Sequence, residues 1–312
     1  MLAGSGRRLS DRVGDVALRW VTGLAALGAV ALVGMIVVKV FQGAWPAMQV
    51  FRLSFLTTQL WDPVASQFGA LAFIFGTVFT AFFALLVAAP VSIAIGLYLS
   101  ELAPKPARTV IGTLVELLAA IPSVVLGLWG ILVLGPFVQQ TLGPFLQHVL
   151  GWTPFFKGTP QVSSYLSAVI VLSIMIVPIA SSISRELFIQ VPHDVKEGAL
   201  GLGLTRWEMV RGVMLPFTRA GLVAALLLGL GRAFGEAIAV TQVIGNNAKI
   251  TLDLFSTGDT LASRIAAQYQ GAVSNLQISS LFYLAAILLV MSLATNIVAQ
   301  VIVRRFSVHK QP

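Results

Sequence analysis

The sequence predicts an all-α integral membrane protein with six membrane-crossing helices and both termini on the cytoplasmic side. Three observations predict it. Of 312 residues, 57% are hydrophobic and only 10% charged, with a mean hydropathy of +0.90; a soluble domain carries charge on roughly 25% of its residues. So apolar a chain cannot cover a water-facing surface, which excludes a soluble globular protein or enzyme; it equally excludes disorder, which requires low hydrophobicity. Second, apolar runs recur at the length of about 20 residues that a bilayer-crossing helix needs. Third, the basic residues are divided unevenly between alternate loops, as the positive-inside rule requires.

The six runs are residues 20–38, 71–97, 109–133, 164–183, 221–244 and 278–302. The first exceeds the roughly 7–15 apolar residues of a signal-peptide core and has no A-x-A site after it, so it is expected to be retained. Residues 45–60 are interrupted by Pro46 and Arg52 and read as an amphipathic segment lying on the membrane. Pro90, Pro122 and Pro178 fall inside apolar runs, where each removes a backbone donor and is expected to kink its helix.

Arg7, Arg8, Arg12 and Arg19 precede the first run, Lys105 and Arg108 lie between the second and third, and Arg185, Lys196, Arg206, Arg211 and Arg219 lie around the fourth loop. Arg304, Arg305 and Lys310 follow the last run. Lys39, Arg52, Lys157, Lys249 and Arg264 fall on the opposite side, and Arg232 within a span. The expected organisation is a tail 1–19, a first helix with an outer segment 20–68, a five-helix core 69–304 holding a cytoplasmic loop 184–220, and a tail 305–312. The net charge of +8 is then a topological signal that needs no nucleic acid. With no cysteine and three histidines (His148, His193, His309), no metal site is expected. The outer loop 139–161 carries Trp152, Phe155 and Phe156, aromatics suited to the membrane interface.

The loop 184–220 carries the most specific signal. Pro192 and Asp194 suit a helix start, Gly201 and Gly203 interrupt that helix, Thr205-x-x-Glu208 forms a capping box for a second, and Pro216 is expected to end it. Trp207, Met209 and Val210 offer an apolar surface. An ordinary amphipathic loop resting on headgroups fits these signals equally well; a DNA-reading helix-turn-helix fits poorly, because both ends are tethered to spans. The spacing favours something else. Glu197-Gly198-Ala199, three residues, Gly203, nine residues, then Val213-x-Leu215-Pro216 resembles the EAA signature of ABC importer permeases, with Gly198 and Val213 as conservative departures. That resemblance implies the type I importer permease fold and a coupling helix seated on a separate ATPase, with Glu197, Gly198, Ala199, Gly203, Thr205, Arg206, Trp207, Val213, Leu215 and Pro216 at the contact.

Further segments resemble one branch, the PstC phosphate permeases: 73–78, 100–104, 116–130, 229–246 and the Trp45-Pro46 and Trp61-Asp62-Pro63 stretches. The resemblance implies a PstA-like companion permease, two PstB-like ATPase subunits carrying ATP and Mg, and a PstS-like binding protein on the outer side. It also implies inorganic phosphate as cargo, a bacterial cytoplasmic (inner) membrane location, and no cofactor or catalysis on this chain.

Arg232 falls near mid-membrane in the fifth run, where an arginine is costly and by default functional; its planar guanidinium suits phosphate oxygens. Glu236, four residues on, would share its helical face. Two readings stay open: a self-neutralising pair that orders the bundle, or a transit site where Arg232 meets phosphate. In the second, Glu236 holds the guanidinium, weakens binding so that the ion leaves, or takes a proton. The segment 119–130 with Ser123, Gly127 and Gly130 reads either as packing irregularity, common in membrane helices, or as a stretch that lines the path and bends with it; Asn246 sits at the outer end as path residue or plain loop polarity. Glu116 reads as a structural partner near the cytoplasmic end. A permease for sulfate, molybdate or phosphonate is the alternative within the class. A secondary transporter would show paired repeats or a chain of acids, and an intramembrane enzyme would need a metal set or a nucleophile-base pair; neither pattern is present in the sequence.

Overall fold

The structure, a computed structural model, describes residues 9–306; Arg7, Arg8, His309 and Lys310, with parts of both tails, lie outside the described residues. In chain order the helices are α1 (Leu9–Phe51), α2 (Ser54–Thr57), α3 (Leu71–Leu97), α4 (Lys105–Ala120), α5 (Ser123–Trp129), α6 (Gly135–Phe137), α7 (Gly143–Leu150), α8 (Tyr165–Ile189), α9 (His193–Gly201), α10 (Arg206–Met209), α11 (Leu215–Gly235), α12 (Ile238–Val243), α13 (Leu261–Gln268) and α14 (Asn275–Phe306). π-helical turns follow α3 (Tyr98–Leu102), interrupt α5–α7 (Gly130–Leu134 and Val138–Leu142) and join α10 to α11 (Val210–Met214). Among the described residues the only β pairing is an isolated bridge between Asp62 and Gln67.

Among the described residues, six continuous helical stretches are long and apolar enough to cross a membrane: Gly14–Phe51, Leu71–Leu102, Ser123–Leu150, Tyr165–Ile189, Arg206–Gly235 and Asn275–Arg305. The number agrees with the sequence expectation, but the first, third and fifth spans shift. The fifth is Arg206–Gly235 and not 221–244, so Arg232, expected near mid-membrane, lies in the last turn of its crossing helix. The expected span 109–133 is split at Ile121–Pro122, both extended with ψ of 126° and 139°. Proline cannot donate the next helical bond and drives the preceding residue out of the α region, so Pro122 ends one helix and caps another instead of kinking one. The 16 residues of α4 rise about 24 Å, short of the roughly 30 Å hydrocarbon core, and α4 carries Lys105, Arg108 and Glu116, the last exposed. The crossing helix begins at Ser123 and runs to Leu150, well into the region expected as outer loop.

The first helix continues through Pro46 to Phe51, so residues 45–51 extend a span and do not lie flat on the surface as a separate segment. Pro46 loosens the local ladder, and the neighbouring Ala47 N–H donates to Ser279 Oγ of α14 at 2.7 Å. Pro216 likewise does not end its helix. It sits in the first turn of α11 directly after the π-turn Val210–Met214, and a π-turn already lacks the regular i→i−4 bond that proline cannot make.

Packing centres on α8, the most buried of the spans. Small residues on α3 (Ala81, Ala84, Ala88) and on α8 (Ser173, Ala180) are buried and let the two backbones approach closely, as membrane helices without a hydrophobic driving force require. Ser173 Oγ donates to Ala84 O across that interface at 3.2 Å. By contrast, Leu24, Leu27, Val30, Val33 and Met35 of α1 are exposed, an apolar surface suited to lipid.

Candidate functional site

At one end of the bundle α9 and α10 form the glycine corner anticipated from the sequence. Leu202 N donates to Gly198 O at 3.1 Å, Gly203 N to Leu200 O at 2.9 Å and Leu204 N to Ala199 O at 3.3 Å. Gly203 has φ +88°, a left-handed conformation that glycine adopts without steric cost. The capping box is formed: Thr205 N donates to Glu208 Oε2 at 2.8 Å, and Glu208 N to Thr205 Oγ1 at 3.3 Å. The motif residues divide by exposure. Ala199 is buried, and Val213 and Leu215 pack against the same cluster of Phe188, Val191 and Met214. Glu197, Gly198, Gly203, Thr205, Arg206 and Pro216 are exposed; His193 Nδ1 lies 3.4 Å from Glu197 Oε1.

Met209 and Val210, expected on the outer apolar surface, are buried in that cluster; the helical turn points them inward and leaves Trp207, 64% exposed, and Leu202 outside. Sequence reasoning missed Lys196 and Glu101. Lys196 is buried beside Glu101 of the turn after α3, Nζ to Oε1 2.5 Å. Glu101 lies within the 100–104 segment that carries only a resemblance, and an acid there with a lysine beside Glu197 is the available signal.

Inside the bundle, α11 ends at Gly235 and Glu236 is extended with ψ 112°. The helical register relating Arg232 to Glu236 therefore lapses, and among the described residues the two form no ion pair. Glu236 instead serves α12, its Oε1 accepting from Ala239 N at 3.2 Å. Arg232 is exposed in the last turn of α11, where a cation also suits the helix C-terminus.

Helix α12 packs on α5 through Gly127, where a Cβ would sit 2.7 Å from Gln242 Oε1 and 2.9 Å from Ala239 Cα. Gly130 is crowded by Val243 and Val171, so both glycines serve helix approach. Gln242 Oε1 is buried without a hydrogen-bond partner. Ser123, half-buried, opens α5. Two helix breaks, at 121–122 and 236–237, thus precede a pair of packed helices; irregular backbone in a membrane protein is tolerated where it is buried in protein or lines a watery path.

Asn246 follows α12 in a left-handed turn, φ 53°. Its Nδ2 donates to Thr241 O at 3.0 Å and its Oδ1 accepts from Ser263 Oγ at 3.1 Å. Behind it lies a network that the sequence concealed by counting Arg264 as a loop charge. Asp259 and Arg264, with side chains 1% and 9% exposed, pair at 2.5 Å; Arg264 also donates to Asn246 O at 3.0 Å and lies over Phe73 at 4.9 Å. Burial pushes the Asp259 carboxyl above the usual carboxylate range, while Arg264, Ser263 and the Thr260 N–H pull against it. Removing one partner of such a pair costs about 3–5 kcal/mol. Arg264→Met is therefore expected to lower the thermal midpoint of the detergent-solubilised complex by several degrees, and an unchanged midpoint would show that the pair does not hold the fold.

The family described as "Binding-protein-dependent transport system inner membrane component" matches residues 92–308. The chain is 41% identical over 295 residues to the phosphate transport system permease protein PstC of Mesorhizobium japonicum, covering 93% of this chain and 90% of that protein. It is 40% identical over 288 residues to the PstC of Haemophilus influenzae, covering 91% of each. Among solved structures, the crystal structure of a bacterial alginate ABC transporter in complex with an alginate pentasaccharide-bound periplasmic protein is similar in fold, with a TM-score of 0.58 at 19% identity over 96% of both chains.

Proposed function

Because the chain belongs to the family of binding-protein-dependent transport system inner membrane components, and within it to the PstC phosphate permeases, we propose that it forms half of the translocation path of an ATP-driven importer of inorganic phosphate. It is a multi-pass protein of the cytoplasmic membrane. A PstA-like permease supplies the other half, two PstB-like subunits bind and hydrolyse ATP, and a PstS-like protein delivers the anion from outside. With both termini in the cytoplasm, the α9–α10 corner faces the ATPase and presents Glu197, Gly203, Arg206 and Trp207 to it.

The observation that carries this reading is Arg232: a cation on a membrane-crossing helix, exposed, without an ion-pair partner among the described residues, and one turn before a break in that helix. An unpaired guanidinium there needs an anion, and a cargo that must leave again needs a site that is not a basic cluster. Glu236 at the break holds α12 in place and keeps the local field from trapping phosphate, Ser123 lines the facing wall, and Asn246 shapes the outer end of α12.

Reconstitution tests it. Proteoliposomes holding this chain with its companion permease, ATPase and binding protein are expected to take up radiolabelled phosphate only with ATP, undiminished by excess sulfate. Uptake driven by an ion gradient without ATP would make the chain a secondary transporter, and strong competition by sulfate or molybdate would reassign the cargo.

A further inference from the structure

Lys196 lies in the middle of α9 and is buried, an uncommon place for an ammonium unless it is paired. Its Nζ donates to Glu101 Oε1 at 2.5 Å and to the carbonyl of Phe188 at 3.1 Å. Glu101 belongs to the π-helical turn that finishes the α3 span, and Phe188 to the last turn of α8. One cation therefore ties together three segments, one of them 95 residues away in sequence.

The connectivity gives this tie a mechanical meaning. A push on α9 reaches α8 and α11 through the backbone, because both lie next to the α9–α10 corner along the chain. It reaches α3 only through side chains. Ile93 and Leu97 of α3 pack against the apolar cluster beneath α9, but such contacts are non-directional and allow sliding. A largely buried ion pair is directional and costly to separate, since parting it leaves two charges without partners. The same turn holds a fourth element, for Arg108 of α4 donates to Ser100 O at 2.8 Å.

We propose that the Lys196–Glu101 pair is a strut that makes the end of α3 follow α9, so that motion of the docked ATPase is delivered to three crossing helices and not to two. The inference rests on the reading of α9 as the coupling helix. Lys196 and Glu101 act on transport by positioning α3; neither touches the cargo.

The test uses the whole reconstituted importer and reads phosphate taken up per ATP hydrolysed. Lys196→Glu and Glu101→Lys are each expected to lower that ratio about tenfold, a loss worth ~1.4 kcal/mol, and the double charge swap to restore at least half of it. A swap no better than the single variants overturns the proposal.

The chain has no native cysteine, which permits a second arm. Lys196→Cys with Glu101→Cys, in companions stripped of thiols, is expected to be uncoupled until a short bis-maleimide joins the two positions, and to regain coupling when joined. If joining them blocks transport, α9 and α3 must move apart and the strut is wrong; this arm also decides if the charge variants fail to accumulate. Gly203→Asp, run in parallel, separates the two levels. Should it stay coupled, the reading of α9 itself fails; should it uncouple while the swap and cross-link arms fail, only the strut is lost.

Discussion

Replacing Arg232 by alanine is expected to cut phosphate uptake roughly ten- to a hundredfold, the loss of one charge-assisted contact worth about 1.5–3 kcal/mol at the rate-limiting passage. Arg232→Glu should do worse, because it places a repelling charge where the anion must pause. The complex should still assemble in both cases. Arg232 is exposed and has no ion-pair partner among the described residues, so its removal leaves no orphaned internal carboxylate. Arg232→Lys, which keeps the charge but not the planar fork, should retain part of the activity. Uptake and assembly are measured together, by radiolabelled phosphate and by co-purification of the ATPase. Full uptake in the alanine or the glutamate variant would leave Arg232 a structural residue and remove the main support for an anion path at this break.

Gly203→Asp is expected to separate ATP hydrolysis from transport without preventing folding. Two facts set the direction. A Cβ at Gly203 meets nothing within 4 Å in this chain, so no internal clash arises. Its φ of +88° is a left-handed conformation that costs an L-residue roughly 1–2 kcal/mol, a strain relieved if the corner turns and tilts α9 relative to α10. The added side chain and its charge also project where the ATPase would dock. Membrane abundance should stay near normal while uptake per ATP falls about tenfold, the effect of ~1.4 kcal/mol of disturbed docking. Normal coupling in this variant would mean that the corner does not face the motor.

Much of this molecule was legible from composition and local pattern. The capping box at Thr205 and Glu208, the corner at Gly203 and the number of crossing helices each follow from short-range rules, and each is present. Proline is where local pattern and observed structure diverge. By local pattern Pro46 and Pro216 are breaks, yet both sit inside continuous helices, whereas Pro122, by pattern a kink, is a break. The local chemistry is the same in all three. What differs is whether a neighbouring element takes up the freed donors, as Ser279 does beside Pro46, or whether a π-turn absorbs the mismatch, as before Pro216.

The charged residues show the same division. Arg232 stands out in the sequence because a guanidinium in an apolar run is anomalous by itself. Arg264, Asp259, Lys196 and Glu101 do not, because each sits in a loop-like stretch where a charge is ordinary. Their burial depends on which distant helix covers them.

Local sequence alone accounts for the six helices, among the described residues, long and apolar enough to cross a membrane, for the loop with the EAA-like spacing, and for the one arginine that stands out in an apolar run. These depend on hydrophobicity, turn chemistry and spacing, quantities defined within a few neighbouring residues. The folded arrangement is what parts Arg232 from Glu236, seats α12 on α5 through Gly127 and brings Lys196 to Glu101. Those outcomes follow from helix ends and from contacts between segments far apart in the chain, which are set by how the whole bundle packs.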